Sequence, residues 1–302
     1  MRDRAKSAGR ALDILTAISD RSAGLTFAEL VEVLDLPKSS VFEVLEVLVQ
    51  RRFVQLDAET RHYTLSVRAW EVGARYLSQH ELATEARPFM KLVAQSLNET
   101  VQLAVLDGLD NVYVAKVDSS HPVRLQSDVG KRLPAHATGL GKVLLAALPP
   151  RELEQRLNGA ALAGFTNRTI TTRERLLSQL EEIREAGFAV DDQEYTPGLR
   201  CVAVPIYDHR GETPAAFSAS VPMMRAHLTP LWQALSLVSE ASLRISERLG
   251  AAGEDAALRR LTGASHAKVA LARALAGSGS RATGSVLPVS DSVGAVGVSA
   301  AP

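Results

Sequence analysis

The chain lacks most of what would mark a secreted, metal-dependent or membrane-spanning protein. Its one cysteine, Cys201, excludes an intrachain disulfide framework and fits a reducing, cytoplasmic setting. The seven histidines are scattered, and no Cys or His cluster has metal-ligand spacing, so no metal or other cofactor is expected. No apolar run reaches the roughly 18 residues of a membrane span. The opening MRDRAKSAGR has no apolar h-region, so no secretory signal is visible. Net charge is absent too: the formal balance is +0, and residues 1–80 carry as many acidic as basic groups. A dedicated DNA-binding domain often has a basic excess. No Phe, Tyr or Trp follows residue 249.

What is present is a pair of short amphipathic helices. In LTFAELVEVLDLPKSSVFEVLEVLVQRRFV, residues 25–54, Thr26 and Glu29 fit a capping box. Leu30, Val31 and Leu34 give the first helix one apolar face. Asp35-Leu36-Pro37 stops it, because proline disfavours helix at the residue before it. Lys38, Ser39 and Ser40 open a second helix, whose Val41, Val44, Leu45 and Leu48 fall at i, i+3, i+4, i+7. Its other face carries Lys38, Ser39, Phe42, Glu43 and Glu46. Upstream, Ala11, Ile14, Leu15 and Ile18 repeat the stripe. Downstream, Phe53–Leu56 and Arg61–Leu65 flank a polar turn, Asp57–Thr60, as in a β-hairpin. Three helices and a hairpin predict a winged helix-turn-helix over 5–66, with the second helix of the pair in the major groove of double-stranded DNA. The candidate DNA contacts are Lys38, Ser39, Ser40, Phe42 and Glu43 on that helix, with Arg61 and His62 of the wing near phosphates.

Positive charge is local, at Arg2, Arg4, Lys6 and Arg10 and around the wing at Arg51, Arg52, Arg61, Arg68 and Arg75. Phosphate contacts give affinity without sequence information. One such domain should bind weakly, so two copies are needed. VRAWEVGARYLSQH, residues 67–80, reads as a linker helix. Its apolar Trp70, Val72, Ala74 and Leu77 either pack on another subunit or cap the next domain.

Residues 81–249 predict an α/β domain. Glu85–Leu97 reads as a helix with Pro88 near its start. Val101–Leu106 and Val112–Val117 read as a hairpin across Asp107–Asp110. Thr138–Ala147 is a helix ended by Pro149-Pro150, and Thr172–Ala186 one followed by Gly187. Cys201–Tyr207 and Pro214–Val221 are strands around Asp208–Gly211, and Leu228–Leu249 is a long closing helix. Beyond 250, residues 254–276 read as weakly helical. The Gly/Ser/Ala/Val-rich residues 277–302 complete a low-complexity, largely disordered tail.

The stretches LTFAELVEVLDLPKSSVFEVLEVLV, ETRHYTL, LPAHATGLGKVLLAALP and DDQEYTPGLRCVAVPIYDHRG with SASVP lie in order over about residues 8–249. The chain resembles the IclR-type bacterial transcriptional regulators, named for the isocitrate lyase regulator. The resemblance implies an α+β protein of two domains, a winged helix-turn-helix and a GAF-like α/β effector-binding domain, joined by a linker helix. It implies a homodimer, often paired as a dimer of dimers, that binds operator DNA and answers to a small metabolite. One departure stands out: Glu43 occupies about the place where the family often has arginine. Glutamate can accept from cytosine N4.

The effector site follows partly from spacing. A two- or four-residue loop centred on His209-Arg210 puts Cys201 directly opposite Ser218, and alternation puts Ser220, Ala203 and Ala216 on the same side. The other side carries Val202, Val204, Ile206, Phe217, Ala219 and Val221, fit to pack under helices. In HATGLGK, Thr138 can cap a helix whose first N–H groups belong to Gly139, Leu140 and Gly141, a start that attracts carboxylates. The glycines there serve equally to let helix and sheet pack closely. The resemblance implies that Gly139, Leu140, Asp191, Cys201, Ser218 and Ser220 line the ligand pocket, and a small organic acid or related catabolite is the expected effector.

Two other classes compete. An enzyme would use Cys201 as nucleophile with His136 or His209 as base, which needs a depressed thiol pKa and an adjacent base. A sensor or scaffold without DNA binding would suit the balanced charge of the first 80 residues.

Overall fold

The computed structural model describes residues 2–72, 82–122, 128–251 and 255–279. They divide into two compact units, the first ending at Thr84 and the second beginning at Glu85. No helix among the described residues is long and apolar enough to cross a membrane.

The first unit runs α1 (Arg2–Ser19), β1 (Leu25–Thr26), α2 (Phe27–Leu34), α3 (Lys38–Gln50), β2 (Val54–Leu56) and β3 (His62–Leu65). The capping box is present. Thr26 Oγ1 accepts from Glu29 N at 3.3 Å, and Glu29 Oε2 accepts from Thr26 N at 2.7 Å. Asp35 ends α2 in the left-handed region, at φ 48°. Ile14, Ile18, Leu30, Val41, Leu45 and Leu48 meet in one core with Leu25 and Val54. The sheet has a third strand that the hairpin pattern does not reveal: β1 pairs with β3, Leu25 opposite Tyr63. Two residues leave no room for a periodicity. Gly24 (φ +77°) feeds this strand, and a Cβ there would lie 2.4 Å from the Tyr63 carbonyl oxygen. Residues 67–72 are helical, as the linker reading expects, and the remainder of that reading, 73–80, lies outside the described residues.

The second unit is built on a six-stranded antiparallel sheet, ordered β6-β5-β4-β9-β8-β7. The strands are β4 (Thr100–Asp107), β5 (Asp110–Val117), β6 (Arg132–Pro134), β7 (Ala189–Asp192), β8 (Leu199–Ile206) and β9 (Ala215–Pro222). Its helices are α4 (Leu82–Leu97), α5 (Gly139–Ala147), α6 (Pro150–Leu157), α7 (Arg173–Ala186), α8 (Leu231–Arg248), α9 (Ala256–Leu261) and α10 (Ala264–Gly279). Proline accounts for two differences from the sequence reading. Pro150 does not merely stop α5; it opens α6 at the first helical position, where its missing N–H costs nothing. Pro230 starts α8, so Leu228 and Thr229 precede that helix.

Two expectations are corrected. The β8–β9 hairpin pairs Cys201 with Ser220 and Ala203 with Ser218, two residues away from the expected register. Asp208 explains the longer loop. Its Oδ1 accepts from Arg210 N and Glu212 N, its own N–H reaches the Glu212 carbonyl, and β9 begins only after Pro214. A two-residue shift keeps every side chain on its face. The expected division between a small polar face and a bulky apolar one therefore survives. Second, the largely disordered tail expected from 250 is overturned over 256–279, where, along the residues read as weakly helical, α9 and α10 fold against α8. Asp255 caps α9 through Ala257 N and Leu258 N, and Leu258, Leu261, Ala267 and Leu271 are buried. The Lys268 ammonium sits 4.3 Å over the Trp232 ring. The buried residues these two helices contribute are leucines and an alanine, so their lack of aromatics misleads. Residues 280–302 lie outside the described residues.

Candidate functional site

On the first unit, the amino end of α3 offers Lys38, Ser39 and Glu43 to solvent, with Phe42 59% exposed between them. Ser40 is only half-exposed, and its Oγ accepts from Arg10 Nη1 of α1 at 3.2 Å. Arg10 thereby braces the start of α3. In the wing, Asp57 Oδ1 accepts from Glu59 N and Thr60 N, which closes the turn. These bonds hold the exposed Asp57 carboxyl below its ordinary range. Arg61 follows in the left-handed region (φ 59°) with its side chain exposed. His62 is half-buried, its Nδ1 2.8 Å from the Thr60 carbonyl oxygen. The seven candidate DNA contacts thus divide into five exposed side chains and two, Ser40 and His62, already engaged within the unit.

On the second unit, a cavity of about 210 Å³ opens between the small face of the sheet and the start of α5. It is lined by all six of Gly139, Leu140, Asp191, Cys201, Ser218 and Ser220, together with Tyr113, Lys131, Leu133, Thr138, Tyr195, Thr196 and Leu199. Register explains the assembly: Asp191 faces Cys201, Cys201 faces Ser220, and Ser218 faces Gln102. Thr138 caps α5, its Oγ1 accepting from Gly141 N at 3.1 Å and donating to Asn111 Oδ1 at 2.6 Å. The N–H groups of Gly139 and Leu140, at the first turn, have no partner within a helix. The two glycines differ. A Cβ on Gly141 would lie 2.2 Å from Ala135 Cα, so this glycine is required for packing. One on Gly139 would meet Ala203 Cβ at 3.4 Å, an ordinary contact.

The electrostatics are those of a closed site. Burial, helped by the charge of Glu194, pushes the Asp191 carboxyl up to about 7. Asp191 Oδ1 accepts from Glu194 N at 2.7 Å. Behind it, the fully buried Lys142 donates to the Val190 carbonyl at 2.8 Å and to Glu194 Oε1. Asp192 points elsewhere. Burial opposes its ionisation, but Arg200, Gln193 and Arg168 hold its carboxyl below the ordinary range. Burial also pushes the Cys201 thiol well up, with Asp191 adding to the rise. A nucleophilic cysteine needs the opposite shift. His136 Nε2 is held by the Ala163 carbonyl at 2.9 Å, and His209 stands exposed in the β8–β9 loop. Neither serves Cys201 as a base.

Sequence reasoning missed Gln102 and Lys142. Both carried a signal. Gln102 is a polar residue within the apolar strand VQLAVL, and Lys142 the only charge in the helix GLGKVLLAA. Polar groups at such positions are buried with partners.

Known proteins agree with this architecture. Residues 7–58 match the IclR helix-turn-helix domain, and residues 74–247 match the bacterial transcriptional regulator IclR C-terminal domain. The chain belongs to the IclR family. It is 34% identical over 249 residues to the HTH-type transcriptional regulator KdgR of Escherichia coli (strain K12), covering 82% of this chain and 94% of that protein. A transcriptional regulator from Rhodococcus sp. RHA1 superposes with a TM-score of 0.69 at 32% identity, over 81% of this chain and 98% of that one. An IclR homologue from Microbacterium hydrocarbonoxydans, solved with 4-hydroxybenzoate, gives 0.72 at 25% identity, over 80% and 98%. The chain is therefore a transcriptional regulator with a DNA-binding helix-turn-helix domain and a C-terminal effector domain. It falls among regulators, not enzymes. Helices α9 and α10 lie beyond the matched residues.

Proposed function

We propose that this regulator binds double-stranded operator DNA through α3 and the wing, and that a small organic acid held in the cavity changes that binding. The observation that carries the effector reading is the convergence on one cavity of hydroxyls, a carboxyl and the start of α5. Backbone N–H groups at a helix start favour a carboxylate. A volume of about 210 Å³ is below the roughly 300–1,000 Å³ of drug-sized sites and suits a small acid. In this reading Gly139 and Leu140 take the carboxylate, while Asp191, Cys201, Ser218 and Ser220 face the rest of the ligand. The complex of the Microbacterium homologue with 4-hydroxybenzoate supports the class of ligand.

For DNA, Lys38 and Ser39 approach phosphates at the groove, Phe42 and Glu43 face base edges, and Arg61 touches the backbone from the wing. Ser40 and His62 act through the positions of Arg10 and the wing turn. The working unit is a homodimer, with a dimer of dimers as its larger form. The balanced charge of the first 80 residues calls for a second copy. Val67, Trp70 and Val72 leave apolar surface uncovered on the helical residues 67–72, Trp70 being 71% exposed. Two linked domains gain by effective concentration.

The test is a thermal-shift screen of small organic acids, followed by gel shift with the DNA upstream of the protein's own gene. A carboxylate that both raises the melting temperature and changes the shift supports the reading. A protein that shifts its upstream DNA identically with every acid that stabilises it contradicts the reading.

A further inference from the structure

Asp191 stands where an anionic effector must also stand. It is 5% exposed near the end of β7 and lines the cavity beside the start of α5. A Cβ on Gly139 would lie 3.6 Å from Asp191 N and 3.7 Å from Asp191 Cβ. The N–H groups proposed for the effector's carboxylate belong to that same first turn. A cavity of about 210 Å³ leaves two carboxyl groups no room to stand apart. Two carboxylates in one closed site oppose each other's ionisation, and a single proton is then shared by the pair.

The groups around Asp191 do not supply two countercharges. On α5, Lys142 is matched by Glu194, to whose side chain it donates. Glu194 also donates its backbone N–H to Asp191 Oδ1 at 2.7 Å. Asp192, next along the strand, is matched by Arg168 and Arg200. From β8 and β5 come the Cys201 thiol and the Tyr113 hydroxyl, both pushed well up by burial and so neutral. Tyr195 adds a second hydroxyl to the lining. A separate groove beside β7 is lined by Asp192, Glu194, Arg260, His266 and Arg273, but not by Asp191. Lys131, itself exposed, is the one cationic side chain lining the cavity among the described residues. One ammonium matches one carboxylate. Burial and the charge of Glu194 already lift the Asp191 carboxyl to about 7, and an anion beside it lifts it further.

We propose that the effector's carboxylate and Asp191 share one proton, so that the regulator takes up a proton together with the acid and answers to it less as pH rises above neutrality. The inference rests on the cavity being the effector site and adds regulation by pH to it. The proton comes from solvent and stays on a carboxyl oxygen of the pair. On Asp191, the O–H can donate to the effector's carboxylate, a charge-assisted bond. Below about pH 6 the free protein already holds this proton, so none is taken up and affinity is level. Between about pH 7 and 9 the free protein has lost the proton and the complex keeps it. Affinity then falls by up to about tenfold per pH unit, the slope of one linked proton.

The test titrates the full-length protein, by calorimetry, with benzoate, pyruvate and 3-hydroxybutyrate, whose own carboxylates are ionised above about pH 6. Titrations at about pH 8 are run in HEPES and in Tris, whose ionisation enthalpies differ, so a captured proton appears as a difference in heat. For any acid that binds, uptake approaching one proton is expected there, with affinity at least about fivefold weaker than near pH 6. Asp191→Asn keeps the shape and an acceptor for the Glu194 N–H but carries no charge. It should bind the same acid without proton uptake and equally well at both pH values. Binding without uptake in the unaltered protein, or an uptake that Asp191→Asn retains, overturns the inference and leaves the effector site standing. Failure of every acid to bind overturns both. Should Asp191→Asn fail to fold, the buffer dependence of the unaltered protein decides the matter.

Discussion

The two units use polar side chains in opposite ways. On the first, the side chains of Lys38, Ser39, Glu43 and Arg61 stand in solvent. On the second, Gln102, Ser218 and Ser220 are buried and bonded to one another, and the buried Lys142 and Asp191 are bonded to the side chain and backbone of Glu194. A surface that must meet a large, hydrated, charged partner keeps its groups free. A cavity proposed to read a small molecule holds its groups beforehand, because a buried donor or acceptor left unmatched costs free energy. Substitutions at those exposed positions should therefore change binding without changing stability, whereas those around the cavity should change both.

The sharpest contrast is between two lysines. Lys142→Ala strands Glu194 as a buried, uncompensated carboxylate. It should destabilise the protein by about 3–5 kcal/mol. Lys38→Ala should stay within about 0.5 kcal/mol, yet weaken binding to every DNA sequence and lower the salt slope by about one. Urea unfolding and salt-dependent anisotropy measure the two effects. Equal stability losses would break the comparison.

Next comes the pH dependence of the two sites. The Asp191 carboxyl, at about 7 when folded, lies above its ordinary 3.8, so the folded state holds the proton more tightly. Below about pH 4 the group costs nothing. As pH rises from there through 7, the unfolded chain ionises first and stability falls, then levels. Asp191→Asn removes that loss, so its stability advantage should open between pH 4 and 7, to on the order of 1–4 kcal/mol. Asp57 in the exposed wing has the opposite sign. Its lowered value gives stability that is present above pH 3.8 and lost as pH falls below it. Parallel pH profiles for Asp191→Asn and Asp57→Asn would contradict the assignment.

The same contrast explains how much could be read without coordinates. The DNA-reading unit is contiguous, and its capping box, helix stripes and wing turn are local signals, so only the two-residue β1 escaped. The cavity joins residues from β5, β6, α5, β7, β8 and β9, and period-two alternation gave its faces but not its register. The register depended on Asp208 folding a longer loop, which spacing cannot reveal. Gln102 and Lys142 needed the strand order to be known before their partners could be. The closing helices α9 and α10 were legible only as weakly helical; their packing hides in a composition poor in aromatics, where burial of leucine and alanine suffices.

Smaller effects sharpen the picture on the first unit. Glu43→Ala should relax preference at one base pair by about 1–3 kcal/mol, seen by selection from randomised DNA, with no change in melting temperature. Unchanged preference would assign Glu43 to a merely solvated face. Thr26→Ala breaks the capping box and should cost about 1 kcal/mol of stability, while leaving the specificity of α3 intact.

The central claim is that a ligand in the cavity of the second unit and operator DNA on the first are coupled. Linkage makes the coupling reciprocal: whatever factor the acid imposes on operator affinity, the operator must impose on the affinity for the acid. The direct measurement is the dissociation constant of each partner with and without the other, in the full-length protein and in Ser220→Val, using the tightest-binding acid of the panel. The account predicts one shared factor of about 5–150 in both directions, and in Ser220→Val a weaker acid response with acid-free operator binding unchanged. A factor of one, or a coupling that Ser220→Val leaves untouched, would contradict it.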